Sequence, residues 1–530
     1  MKKIISLLLA IMLLATLAAC SKTDSNPPPS SPNGQTEGSP NTDNTPEAAT
    51  LIYGSGDYTA INPALYEHGE INSLLFAGLT QHDADNKVVP ALAESWVWDA
   101  EILTYTFKLR SGLSFHDGQP LTAEDVKFTL ETIMNPDNGS EIASNYEEIE
   151  SVTAVDETTV EIKLSVPNVA MPDYLVIGIL PKHLLDGQDV TTSSFNQNPV
   201  GAGPYKLVEW DMGQSITLEK FDDFFLGAPK IEQIIFKIVP DDSVRAMQLK
   251  SGELSLAQVT PKDAEEFKSS DSYSVYAMDT ADYRGVLYNF GNKFWQDNPG
   301  LPAAMSYAID RNAVISSVLL GQGQPAWSPI QKGDYVNNDI EKYDYNPEKA
   351  KAEIEALGWT MGSGGHYEKD GVPLSFLLSV RSSDKVRVDM ANIVSQNLQD
   401  IGVNCVVEIT AQTDWAGQYA FLIGWGSPFD PDDHTYKVFG TDKGANYSAY
   451  SNTDVDRILT QARSTADDAE RRTLYNEFQD VFSKDPAYTF IAYIDAMYVA
   501  VPNLTGITEG TTLGHHGVGI FWNVYEWELN

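Results

Sequence analysis

The chain reads as an α/β protein. Three observations carry that class. Short strand-like runs alternate with capped amphipathic helices along the sequence. About 480 residues follow residue 49, enough for two or three domains with large cores. No run of eighteen apolar residues follows the N-terminal leader, so no further membrane span is expected.

The leader comes first. Lys2 and Lys3 give a positive start, Ile4 to Leu17 is almost wholly apolar, and Leu17-Ala18-Ala19-Cys20 closes it. This is an export signal, too short for a permanent span. Cys20 behind two alanines resembles the lipobox of bacterial lipoproteins, which implies lipidation of Cys20 as the new N-terminus. Residues 21–49 are Ser, Pro, Asn, Thr, Gly and acidic residues, with Pro27-Pro28-Pro29 as the stiffest point. They hold too little apolar surface to offset the entropy of ordering and are expected to form an extended tether.

In the body, Thr104–Leu109 alternates with period two and predicts a half-buried strand, as do Thr158–Leu164, Ser215–Glu219 and Val403–Ile409. Thr122-Ala123-Glu124-Asp125 opens a helix, with Thr122 as cap and the acids set against the helix dipole. Further helices are predicted over Ala303–Leu320, Asn346–Leu357 (Pro347 in its first turn, Gly358 at its end), Val388–Ile401 and Ala466–Phe482.

Charge and motif content exclude several functions. The chain has 74 Asp plus Glu against 35 Lys plus Arg, which argues against nucleic acid. Cys405 is the one cysteine beyond Cys20, so no disulfide is expected; its apolar surroundings predict a buried small hydrophobe. No His-Glu-x-x-His, Gly-x-Ser-x-Gly or glycine-rich phosphate loop occurs, so no catalytic constellation, cofactor or metal site is read. His515-His516 sits in a glycine-flanked loop, where adjacent side chains point apart.

Pro90-Ala91-Leu92-Ala93-Glu94-Ser95-Trp96, Phe115-His116-Asp117-Gly118 and Pro120-Leu121-Thr122-Ala123-Glu124-Asp125-Val126 together resemble the signature of the family 5 extracellular solute-binding proteins. Pro199–Lys206, Leu249–Glu253, Ala308–Arg311 and Tyr343–Ala350 match in the same order. The resemblance implies a two-lobed periplasmic-binding-protein-like (type II) receptor. Lobe I is expected from 50–78, 199–287 and 498–530, with 79–198 inserted as a subdomain, and lobe II from 288–497. Crossings near Tyr288-Asn289 and Val499–Val501 are expected to form a hinge.

The resemblance also directs attention to Gly424-Trp425-Gly426-Ser427-Pro428-Phe429-Asp430, which leaves the apolar run Tyr419–Ile423 at a strand-to-loop exit. It implies that Trp425 packs on a ligand, with Gly424 and Gly426 offering backbone groups. Peptide receptors of the family carry an Asp three residues after this Trp; Pro428 stands there, and the nearest acids are Asp430 and Asp433. Nickel receptors carry a downstream histidine that 440–444 lacks, leaving His434 as a substitute. Arg381 resembles the arginine aimed at a ligand carboxylate. Glu67, His68, Tyr146, Asn289 and Trp415 complete the expected ligand contacts.

The expected protein is a non-enzymatic, monomeric receptor of an ABC importer. It catches a short peptide and delivers it to a permease with ATPase subunits, lipid-anchored on the outer face of a cell membrane of Gram-positive type. A nickel or metal–chelate cargo is the alternative within the class. A surface hydrolase and a signalling or adhesive lipoprotein are the alternatives outside it.

Overall fold

The computed structural model describes residues 49–66, 69–515 and 519–530; Cys20, the tether, Glu67, His68 and His516 lie outside the described residues. Seven strands form one sheet in the order Ser274–Met278, Ala496–Ala500, Leu256–Val259, Thr50–Ser55, Gln233–Ile238, Ser215–Lys220 and Tyr205–Asp211. Thr50–Ser55 runs parallel to both neighbours, Gln233–Ile238 and Leu256–Val259. This sheet is the frame of lobe I.

Lobe II is framed by six strands in the order Gly323–Pro325, Tyr488–Ile494, Tyr283–Tyr288, Ala420–Trp425, Ser375–Arg381 and Asn404–Thr410. Both faces are buried, and the strands show it by period-two alternation. Tyr283, Leu287, Phe421 and Ile423 pack into one core. Val286, Tyr288, Ala420 and Leu422 pack into the other. Cys405 lies fully in the latter core, where burial pushes its thiol up to about 12.

Residues 79–198 carry a four-stranded sheet in the order Ala93–Asp99, Thr104–Leu109, Thr159–Leu164 and Ile149–Asp156. Tyr105, Phe107 and Leu109 point inward together, as their spacing predicts. The helix Ala123–Met134 opens with a capping box, the Thr122 N–H donating to Asp125 Oδ2 at 2.8 Å. The core of this sheet is continuous with that of the seven-stranded sheet, so the insertion shares its apolar burial with lobe I.

Two expectations change. Ala303–Leu320 is not one helix but two, Leu301–Ser306 and Arg311–Ser317. The break falls where the Asp310 carboxylate caps the second helix by accepting the Ala313 N–H at 2.9 Å. Beside it, the Arg311 guanidinium is buried and donates to the carbonyls of Phe490 and Tyr343 at 2.8 and 2.7 Å. The crossings between sheets also lie elsewhere. Tyr283–Tyr288 already belongs to the lobe II sheet, so the first crossing is 279–282. The second is Asp495, between Tyr488–Ile494 and Ala496–Ala500. The first crossing is bonded to the strand end that leads into the second, Thr280 Oγ1 donating to the Ile494 carbonyl at 2.6 Å and the Ile494 N–H to the Asp282 carbonyl at 3.0 Å.

Candidate functional site

The strand Ala420–Trp425 ends at the gap between the lobes, and its exit loop leads into the helix Asp432–Phe439. Helical spacing puts Asp433 and Lys437 one turn apart, joined by an ion pair of 3.0 Å. Both face a cavity of about 280 Å³ that Trp425, Gly426, Ser427 and Phe429 line from lobe II. Tyr146, Asp173, Tyr174 and Ile177 line it from the inserted subdomain, and His515 from the C-terminal segment. The Lys437 ammonium lies 5.5 Å from the Trp425 ring centroid, a cation–π distance.

Two glycines of the loop have steric reasons. A Cβ on Gly424 would overlap the guanidinium groups of Arg284 and Arg387, which pack behind the strand. Gly426 has φ of +135° and lies against the Ala281 carbonyl of the first crossing, where no side chain fits. Arg284 pairs with Asp282, and Asp282 also meets His515 Nδ1 at 2.7 Å. Burial holds the His515 imidazole below its ordinary value, against the pull of Asp282.

Electrostatics distinguish the cavity carboxyls. Burial alone would raise Asp433, but Lys437 and His434 outweigh it and hold it below the usual carboxylate range. Asp173 is raised by burial and by the nearby Asp430, although His82 contacts it at 3.1 Å.

The lobes are in direct contact around the cavity. Tyr174 Oη donates to Asp432 Oδ2 at 2.7 Å. Arg463 of lobe II pairs with Glu148 of the inserted subdomain at 2.7 Å and with Asp432 at 3.1 Å. The His82 ring of the inserted subdomain stacks on Phe429 of lobe II at a centroid distance of 3.5 Å. This is a closed arrangement.

Of the expected contacts, Trp425, Gly426, Asp433 and Tyr146 line the cavity, Tyr146 with its hydroxyl spent on the Tyr174 carbonyl at 2.7 Å. Gly424 stands one residue behind the cavity wall. Asp430, His434, Arg381, Asn289 and Trp415 are placed elsewhere, and Glu67 and His68 lie outside the described residues. Asp430 is held by a two-pronged ion pair with Arg471 inside lobe II. His434 points into the lobe II interior, 3% exposed, where burial lowers it to about 4. Arg381 is exposed at its strand end and donates Nε to Thr413 at 2.8 Å. Asn289 is buried and ties a loop by donating to the Gln418 carbonyl at 2.9 Å. Trp415 stacks on Tyr447 at 4.2 Å against the lobe II core.

Asp173, Tyr174, Lys437 and His515 were missed as site residues. Lys437 had a signal: Pro431 followed by two acids is a helix start, and a helix there puts Lys437 beside Asp433.

Two sheet-framed lobes, crossed twice by the chain and closing over a lined cavity, define a two-lobed solute receptor. Residues 87–447 match the model of the bacterial extracellular solute-binding proteins, family 5. The chain belongs to that family. It is 30% identical over 555 residues to the oligopeptide-binding protein AppA of Bacillus subtilis (strain 168), covering all of this chain and 99% of that one. Among solved structures, NikZ from Campylobacter jejuni in complex with Ni(L-His) is similar with a TM-score of 0.85 and 36% identity, covering 91% of this chain and all of that one. AppA from Bacillus subtilis in complex with a nonapeptide gives a TM-score of 0.81 and 29% identity, over 91% of this chain and 99% of that one. Among the described residues, no helix is long and apolar enough to cross a membrane.

Proposed function

We propose that the protein is the receptor subunit of an ABC importer that closes its lobes on a short peptide and releases it to a membrane permease. The observation that carries this reading is the cavity shared by the two lobes, with acid, lysine and aromatic groups on its walls. A peptide presents an ammonium, a carboxylate and side chains, and Asp433, Lys437 and Trp425 offer a partner to each. The oligopeptide-binding relative supports the same cargo. Ligand contacts that exist only with both lobes in place would shift the population toward the closed form, the segment 279–282 and Asp495 serving as hinge. No bond is made or broken in this cycle, so the protein acts as a receptor and not as an enzyme, and as a monomer.

Cys20 carries the lipid in this reading, and residues 21–49 are the tether. A flexible chain of that length has a reach on the order of 30 Å, enough to dock on a permease without leaving the membrane.

A metal–chelate cargo is the second reading, favoured by the likeness to NikZ with Ni(L-His). Among the described residues no group of three His, Cys, Asp or Glu side chains is placed to hold a metal ion. A metal cargo would therefore enter with its own ligands around it. Thermal shift separates the readings: a panel of two- to five-residue peptides is compared with nickel–histidine. The peptide reading expects several peptides to raise the melting temperature, and stabilisation by nickel–histidine alone would overturn it.

A further inference from the structure

A second cavity of about 310 Å³ opens beside the first. The two share Ile142, Val176, Ile177, Phe429 and Gly519, so they are neighbouring compartments with common walls. Their linings differ in kind. The first presents Asp173, Asp433, Lys437 and His515. The second is walled by the rings of Phe76, Phe224, Phe225, Trp522 and Tyr525, with Phe429 from lobe II. Phe224 packs edge-on against Phe225 at 4.7 Å and tilts against Tyr525 at 5.5 Å, which fixes the aromatic wall.

This reading of the ligand rests on the peptide function proposed above. We propose that the second compartment is a side-chain pocket selecting peptides with one bulky apolar residue, whose charged termini remain in the first. Its acidic residue does not make it a cation pocket. Glu70 lies in its lining, but accepts hydrogen bonds from Tyr53 Oη at 2.6 Å and Tyr498 Oη at 3.4 Å. Burial raises the Glu70 carboxyl above its ordinary value, so charge on it is disfavoured.

The compartment also has a part in closure. Every ring named in its wall belongs to lobe I except Phe429, which reaches it while stacked on His82. An apolar side chain is therefore fully removed from water only when lobe II closes, and its burial favours the closed form.

The test is calorimetric titration of the full-length protein with Ala-Ala-Ala and its single-site variants, with Gly, Asp, Lys, Leu or Phe placed at each position in turn. Leu or Phe at one position is expected to bind about 10- to 100-fold more tightly than Gly there. Trp522→Ala and Phe225→Ala, each checked for an unchanged circular dichroism spectrum, are expected to remove that preference while Ala-Ala-Ala binds as before. Should either variant misfold, Phe225→Leu gives the readout, with Phe losing affinity relative to Leu. Equal affinity for Gly and Phe at every position, or a preference for Lys, overturns the pocket while leaving peptide binding intact. Binding by no peptide overturns both.

Discussion

Tyr174 of the inserted subdomain donates its phenolic proton across the gap to Asp432 of lobe II, at 2.7 Å. Both residues are buried, and Arg463 links the same carboxylate to Glu148. The contact exists only with the lobes together, so it belongs to the closed form and not to the folding of either lobe.

Tyr174→Phe should therefore weaken ligand binding rather than folding. A hydrogen bond to a charged group is worth about 1.5–3 kcal/mol, and Arg463 still holds Asp432, so a loss of about tenfold in affinity is expected. Stopped-flow measurement should find it as faster dissociation, with the ligand-free melting temperature unchanged. Unaltered dissociation would remove the contact from the closing mechanism.

Trp425→Ala should weaken any ligand by about 30-fold, the scale of an aromatic anchor in a desolvated pocket. Arg381→Ala should leave affinity unchanged, since that guanidinium is exposed and turned to Thr413. Titration calorimetry on the pair checks both, and the reverse pattern would move the site to the end of the Ser375–Arg381 strand.

His434 makes a prediction about acid. Its folded value is about 4, against 6.5 for the ordinary imidazole, because burial disfavours the charged ring. The unfolded chain binds the proton first, so the stability from neutral His434 is complete above about 6.5 and is lost as pH falls toward 4. The shift corresponds to about 3 kcal/mol. Glu148 and Asp432 are raised by burial and act with the opposite sign, so the variant must be compared with the parent. Denaturant melts of His434→Phe should show a shallower loss between pH 6.5 and 4, and parallel curves would contradict the assignment.

Cys20→Ala should move the protein from the membrane fraction to the soluble one, with ligand affinity preserved. Fractionation with immunoblotting checks this. Continued sedimentation with membranes would rule out the lipid at Cys20 as the anchor.

What the sequence made legible was chiefly local. The capping box at Thr122 and the alternation of Thr104–Leu109 depend on neighbours a few positions away, and both stand in the structure. The strand-to-loop exit at Trp425 was legible as a local pattern, while the choice of Trp425 itself came from the family resemblance. Side-chain direction in the next turn was not. Asp432, Asp433 and His434 are consecutive, yet the helix sends one to Arg463, one to the cavity and one into the core. Asp173 and Tyr174 carried no signal, since their meeting with lobe II spans 258 positions of chain in the Tyr174–Asp432 bond. Arg381 misled because the direction of a side chain at a strand end is not set by its neighbours in sequence.

Whether the lobes close on a peptide is read by native mass spectrometry of the full-length protein taken straight from its host. Bound masses that are released on activation and fragment as short peptides are expected. A bound mass carrying the isotope pattern of nickel, with no peptide fragments, would contradict a peptide cargo.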